Sequence, residues 1–153
     1  MKFTMSLPGG DITPGEFQTA TAIREMVGAL EAARVDACYL TDHPAPSAEW
    51  LHANGHDALD PFTTFGFVAE ATTKLMMHTN ILVMPYRNPF LTAKAAATLQ
   101  VLSGGRLILG TGAGYQDTGA SSGQCLNNCH GPKKLAMNTN SLWPVRYGNY
   151  GAG

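Results

Sequence analysis

The sequence predicts an α/β fold in which a parallel sheet is covered by helices. Three observations carry this. Over the first 115 residues two hydrophobic periods alternate, one suited to strands and one to helices. The strand candidates include short continuous apolar runs such as Ala37-Cys38-Tyr39-Leu40, the pattern of a parallel strand buried on both faces. Thr13-Pro14, Asp60-Pro61 and Asn88-Pro89 each place a capping side chain before a proline, where a helix can open. The resulting order is β-α-β-α-β-α-β, with right-handed crossovers.

Lys2 to Leu7 alternates as a first strand. A helix opening near Thr13-Pro14 carries Ile23, Met26, Val27, Leu30 and Ala33 on one stripe. Ala37 to Leu40 is the second strand, and it runs into Thr41-Asp42-His43. A proline-rich loop spans Pro44 to about Leu59. The second helix, opened by Asp60-Pro61, continues through Phe62, Phe65, Ala69 and Thr72. Leu75 to Met84 is the third strand. The third helix, capped by Asn88, places Leu91, Ala95, Thr98 and Leu102 on one face and ends at Ser103-Gly104-Gly105, with glycine available for a left-handed cap. Arg106 to Gly110 is the fourth strand, leading into Thr111-Gly112-Ala113-Gly114-Tyr115.

The character changes after Tyr115. Residues 116–153 contain no Glu, Ile or Phe, and they offer little apolar surface to offset ordering entropy. The segment is expected to be an irregular, disordered tail.

Composition narrows the function classes. Of 153 residues, 44% are apolar and 14% charged, enough for one core, and the net charge is -1. That balance favours neither nucleic acid nor an anionic membrane surface as partner. Three cysteines do not suggest a disulfide framework. The N-terminus does not read as a signal peptide, and no apolar run reaches the ~18 residues of a spanning helix. A cytoplasmic protein is expected. At this length the chain is also expected to fall short of a complete eight-unit α/β barrel, which usually needs ~250 residues.

Two ionisable residues, Asp42 and His43, fall at the carboxyl end of a strand, where parallel α/β folds bind ligands. The bland alternative is a turn cap and a solvent-facing histidine. Gly110-Thr-Gly-Ala-Gly-Tyr115 could let backbone approach a ligand, or be a plain tight turn. It is not a dinucleotide fingerprint, because the third glycine position holds Tyr115. Cys125, Cys129 and His130 have metal-ligand chemistry, but no second pair lies near, so no metal is expected. Cys38 reads as a small core residue. Neither a Gly-x-Ser-x-Gly elbow nor a Walker loop occurs.

Four blocks in order carry a family resemblance: Ala37 to Pro46, Leu59 to Phe62, His78 to Phe90, and Leu102 to Tyr115. Together they resemble the luciferase-like monooxygenase superfamily, and within it the branch using the deazaflavin coenzyme F-420, over residues 1–115. The resemblance implies a partial (β/α)8 TIM barrel of about four βα units, followed by the tail. It implies an oxidoreductase acting on a small organic substrate, with F-420 as coenzyme and FMN as the alternative. It places Asp42 and His43 beside the coenzyme ring, with His43 as the catalytic proton donor or stabiliser, a role suited to imidazole. Thr79-Asn80-Ile81 matches a strand-three bulge that often carries a non-proline cis peptide behind the ring. Thr111 and Gly112 match a loop lining the pocket. Two departures stand out. Tyr115 occupies a place where some relatives have Glu, and Trp50 lies seven residues after His43 rather than close behind it. Four units leave unpaired strand edges, so homodimerisation is expected as one outcome and an inactive, self-associating fragment as another. A frameshift or truncation is the expected origin of the tail.

Overall fold

The computed structural model describes residues 1–8, 17–44, 46, 48–53, 56 and 58–113. The expected helix start at Thr13-Pro14, Gly114, Tyr115, Cys125, Cys129, His130 and the whole tail lie outside the described residues.

Four parallel strands form the main sheet in the order β1-β2-β3-β5: β1 (Thr4–Ser6), β2 (Ala37–Leu40), β3 (Met76–Thr79) and β5 (Leu107–Ile108). Between them come α1 (Ala20–Ala32), α2 (Ala48–His52), α3 (Pro61–Ala71) and α4 (Pro89–Leu102). Two short strands, β4 (Leu82–Val83) and β6 (Thr111–Gly112), pair in parallel just beyond the ends of β3 and β5. The α/β order and the parallel sheet match the sequence reading.

One face of the sheet carries the core. Cys38, Leu40, Met77 and Leu107 project onto Ile23 and Val27 of α1, Phe65 and Val68 of α3, and Ala96 and Leu99 of α4. Burial pushes the Cys38 thiol up to about 12, in keeping with a packed, unreactive core residue.

The caps explain the helix boundaries. Asp60 accepts from the Thr63 N–H at 2.9 Å, and Asn88 accepts from Phe90 and Leu91, each one residue before the proline that opens its helix. Helix α1 opens at Ala20, where the Thr19 hydroxyl accepts from Ala22 at 3.1 Å. Both long helices close on a left-handed residue. After α4 this is Gly104 (φ 66°), with Gly105 N–H reaching Gln100 O and Gly104 N–H reaching Val101 O. After α1 the same bond pattern forms around Arg34 (φ 58°), with Val35 N–H on Leu30 O.

Three expectations need correction. The loop after β2 contains a helical turn, α2, formed by good helix formers around Trp50. Strand three does not run unbroken from Leu75 to Met84. It breaks after Thr79, resumes as β4, and then turns into a 3-10 helix at Met84–Tyr86. Helix α4 does not bury Leu91 and Leu102, which are 71% and 74% exposed. It buries Thr92, Ala96 and Leu99, the stripe one residue along. Apolar residues surround most of this helix, so its periodicity did not single out a face.

Two polar anchors lock helices to sheet. The Glu31 carboxylate, at the end of α1, accepts backbone N–H bonds from Thr73, Lys74 and Leu75. Those bonds, Lys74's foremost, hold its carboxyl below the usual range. The Arg106 guanidinium donates to Ala69 O, Leu75 O, Ser103 O and the Thr72 hydroxyl, satisfying carbonyls at the ends of α3 and α4.

Candidate functional site

Parallel strands deliver their carboxyl ends to one edge, and the chemistry-bearing residues collect there. Strand β2 ends at Leu40 and hands over Thr41, Asp42 and His43. Strand β3 ends at Thr79, followed by a cis peptide bond between Asn80 and Ile81, where the resemblance places one. Asn80 N–H bonds Leu40 O at 2.7 Å, which fixes this break beside the end of β2.

Gly110 and Gly112 stand opposite that break. A Cβ on Gly110 would overlap the Thr79 carbonyl oxygen, and one on Gly112 would overlap Ile81 Cδ1. The approach of strand three thus requires glycine at 110, while at 112 a side chain would displace the end of Ile81. The Thr79 hydroxyl donates to Gly110 O at 2.7 Å and accepts from Gly110 N–H at 2.9 Å. Thr79 is fully buried, so its side chain offers a ligand no surface. It braces the Gly110 backbone instead. His78 lies against the same glycine, and burial pushes its imidazole down from the ordinary value.

Asp42 is buried and its carboxylate is engaged. It accepts from Arg87 at 2.8 Å (Nη2) and 3.1 Å (Nε), and from the Val83 N–H at 2.8 Å. Arg87 also donates to Asp60 at 3.1 Å. Burial alone pushes the Asp60 carboxyl up, but the Thr63 N–H and Arg87 outweigh it and hold it low. One guanidinium thereby ties the end of β2, the turn after β4 and the start of α3 together.

His43 does not simply face solvent. Its Nε2 lies 3.1 Å from His56 Nε2, and the two rings meet edge to face. Trp50 packs on both, with centroids 4.8 Å from His43 and 5.6 Å from His56. The Thr41 hydroxyl lies 3.2 Å from His56 Nε2. The two imidazoles line different cavities. One, about 370 Å3, is lined by His56, Thr41, Tyr39, Leu59 and Gln18. The other, about 280 Å3, is lined by His43, Asp42, Tyr86 and Arg87. The Gln18 amide nitrogen is buried on the first wall and donates to no partner among the described residues.

The sequence matches the luciferase-like monooxygenase family model over residues 1–129. The chain belongs to the luciferase-like monooxygenase family. It is 38% identical over 85 residues to an F-420-dependent glucose-6-phosphate dehydrogenase of Amycolatopsis mediterranei, covering 55% of this chain and 24% of that one. Among solved structures it resembles the oxygenating constituent of 3,6-diketocamphane monooxygenase from Pseudomonas putida in complex with FMN. There the TM-score is 0.62 at 19% identity, over 76% of this chain and 30% of that one. It also resembles the coenzyme F-420-dependent tetrahydromethanopterin reductase of Methanopyrus kandleri, with TM-score 0.56 and 24% identity, over 74% and 27% of the two chains. These structures establish the fold as part of a (β/α)8 barrel. This luciferase-like chain spans about a quarter of the length of the curated relatives it matches.

Of the residues singled out in sequence, Asp42, His43, Asn80, Ile81, Thr111 and Gly112 sit at one sheet edge of this luciferase-like fold. Sequence reasoning left out Arg87 and assigned nothing to His56 or Gln18. An arginine after a strand carries no signal of its partner 45 residues earlier. The only hint of His56 was its place in the loop that follows His43.

Proposed function

We propose that this chain supplies the ring-binding side of a flavin- or deazaflavin-dependent oxidoreductase, with coenzyme F-420 favoured and FMN as the alternative. The observation that carries the reading is the placement of His43, at the carboxyl end of β2 and lining one cavity, while His56, in contact with it, lines another and Trp50 packs on both rings. The cavity walls suit a planar heteroaromatic ring. The imidazole of His56 and the phenol of Tyr39 line one cavity, and the Gln18 amide nitrogen, without a partner among the described residues, offers a donor to a ring carbonyl there. Among the described residues no Lys or Arg is left for the phosphate end, because Arg87, the one Lys or Arg among the described residues lining either cavity, is committed to two carboxylates.

The coenzyme, when bound, accepts or supplies a hydride. The chain's own residues do the rest. Asp42 and Arg87 fix the end of β2, so the loop that follows starts from a rigid point. His43 holds or moves a proton near the ring. The substrate is a small organic molecule; with FMN, the reaction class would be monooxygenation with dioxygen. F-420 is favoured because the curated relatives at 35–38% identity are largely F-420-dependent glucose-6-phosphate dehydrogenases. A cytoplasmic location is part of this proposal. No described helix is long and apolar enough to cross a membrane.

A fluorescence titration of the purified chain with F-420, and in parallel with FMN, tests this. Saturable binding of F-420, weakened about tenfold (~1.4 kcal/mol) by His43→Ala, is the expected result. A folded chain that binds neither coenzyme would overturn it.

A second reading rests on the sheet edges. Thr4, Met5 and Ser6 of β1 are all exposed, so an open parallel edge is available for pairing. The chain would then act as a self-associating fragment or homodimer. Sedimentation across a concentration series separates the two, since a monomer at all concentrations removes this reading.

A further inference from the structure

The larger cavity is lined by one polar group that folding does not explain. Gln18 stands just before Thr19, the cap of α1, and lines the cavity of about 370 Å3. Its amide nitrogen is buried and has no hydrogen-bond partner among the described residues. Other polar side chains on the same wall are engaged. The Thr41 hydroxyl meets His56 Nε2 at 3.2 Å, and the Ser6 hydroxyl donates to Leu7 O at 3.0 Å. A buried donor with nothing to donate to destabilises the free chain, and an apolar side chain of similar shape would not. Folding stability therefore gives no reason for an amide here; a ligand that accepts from it does.

The rest of the wall defines that ligand. Phe17, Met26, Leu40 and Leu59 give it an apolar surface. Among the described residues no Lys, Arg, Asp or Glu lines it. A charged group placed there would lose its water without gaining a counter-charge. The volume falls within the ~300–1,000 Å3 of small-molecule sites.

We propose that Gln18 is the specificity-determining residue of this cavity: its amide nitrogen donates to an uncharged carbonyl carried on a planar, largely apolar body. The terminal amide torsion of glutamine is soft, so the nitrogen turns towards a carbonyl in the cavity at little cost. The bond replaces no existing one, so it is formed at full gain. The same wall rejects the corresponding charged molecule. The proposal rests on the reading given under Proposed function only in naming the natural ligand, since a flavin or deazaflavin ring meets the description. The donor role of Gln18 does not depend on it.

The test uses the full chain, above the titration range of free imidazole. Three probes are titrated by fluorescence: 2-quinolone, a planar bicycle with one carbonyl; naphthalene, which has none; and 2-quinolone-4-carboxylate, which is charged. Gln18→Met keeps the length of the side chain and removes the donor. It is expected to weaken 2-quinolone about tenfold and to leave naphthalene within about twofold. The carboxylate should bind the parent chain at least about tenfold more weakly than 2-quinolone. Without any probe, Gln18→Met should melt no lower than the parent, because it deletes an unsatisfied donor. In the parent chain, the Gln18 side-chain amide protons should move downfield as 2-quinolone saturates it, which decides the matter even if the variant fails to fold. Failure of 2-quinolone to bind, equal weakening of both uncharged probes, a lower melting point of the ligand-free variant, an unmoved Gln18 resonance, or a carboxylate that binds as well would overturn the proposal. Should 2-quinolone bind through Gln18 while neither F-420 nor FMN binds, only the reading under Proposed function falls.

Discussion

Asp42 and Arg87 meet in a two-pronged ion pair, Nη2 to Oδ1 at 2.8 Å and Nε to Oδ2 at 3.1 Å, with the Asp42 side chain only 3% exposed. Arg87→Met would leave that carboxylate buried with the Val83 N–H as its remaining described donor. The expected loss is about 3–5 kcal/mol. Removing both charges, in Asp42→Asn with Arg87→Met, should recover part of it. Urea unfolding at neutral pH measures both, and a loss below about 1 kcal/mol for Arg87→Met would contradict the buried-pair account.

The two glycines of the fourth unit should differ in tolerance. A Cβ on Gly110 meets the Thr79 backbone carbonyl, which cannot move without the strand. One on Gly112 meets the far end of the Ile81 side chain, which can rotate away. Gly110→Ala should cost about 3 kcal/mol and Gly112→Ala about 1 kcal/mol. Thermal melts of the two variants check the order; equal losses would mean that strand three does not approach as described.

The Glu31 carboxylate gains its low-lying titration from backbone N–H bonds made only in the folded chain. A carboxyl depressed on folding adds stability above its unfolded value, near 4.5, and loses it as pH falls through the folded value. Stability should therefore decline in acid below 4.5, and Glu31→Gln should flatten that decline while lowering stability at neutral pH. Urea midpoints followed from neutral to acid pH test this. An unchanged acid limb in the variant would remove Glu31 from the account.

Arg34 occupies a left-handed position (φ 58°) that glycine fills after α4, at Gly104. A side chain in that region costs ~1–2 kcal/mol. Arg34→Gly should stabilise the chain by about 1 kcal/mol, after glycine's greater freedom in the unfolded chain is discounted. Gly104→Ala should destabilise it by a similar amount. Melting temperatures moving in opposite directions are the expected observation.

Much of the architecture was legible from short stretches of chain. Ala37–Leu40 forms a strand with the expected bounds, and Asp60 and Asn88 cap the helices they were expected to cap. The glycine closure after Leu102 is also where the sequence places it. Capping, proline position and apolar runs act between residues a few positions apart, so the order of residues carries them directly. The start of α1 was less legible, because Thr19 caps it without a proline behind it.

The packed face of α4, the break after Thr79 and the partners at the sheet edge were decided by tertiary structure. Apolar side chains around most of α4 left several faces equivalent until the sheet and α3 took one of them. Residues 110 and 112 read as a turn or a ligand loop until strand three came against them, its backbone requiring glycine at 110 and the Ile81 side chain crowding 112. Asp42 finds Arg87 across 45 residues, and His43 finds His56 across a loop with no period to align them. Local sequence specified where strands and helices form, because caps and periodicity are short-range. The pairs that give the edge its chemistry arise only when parallel strands bring their carboxyl ends side by side.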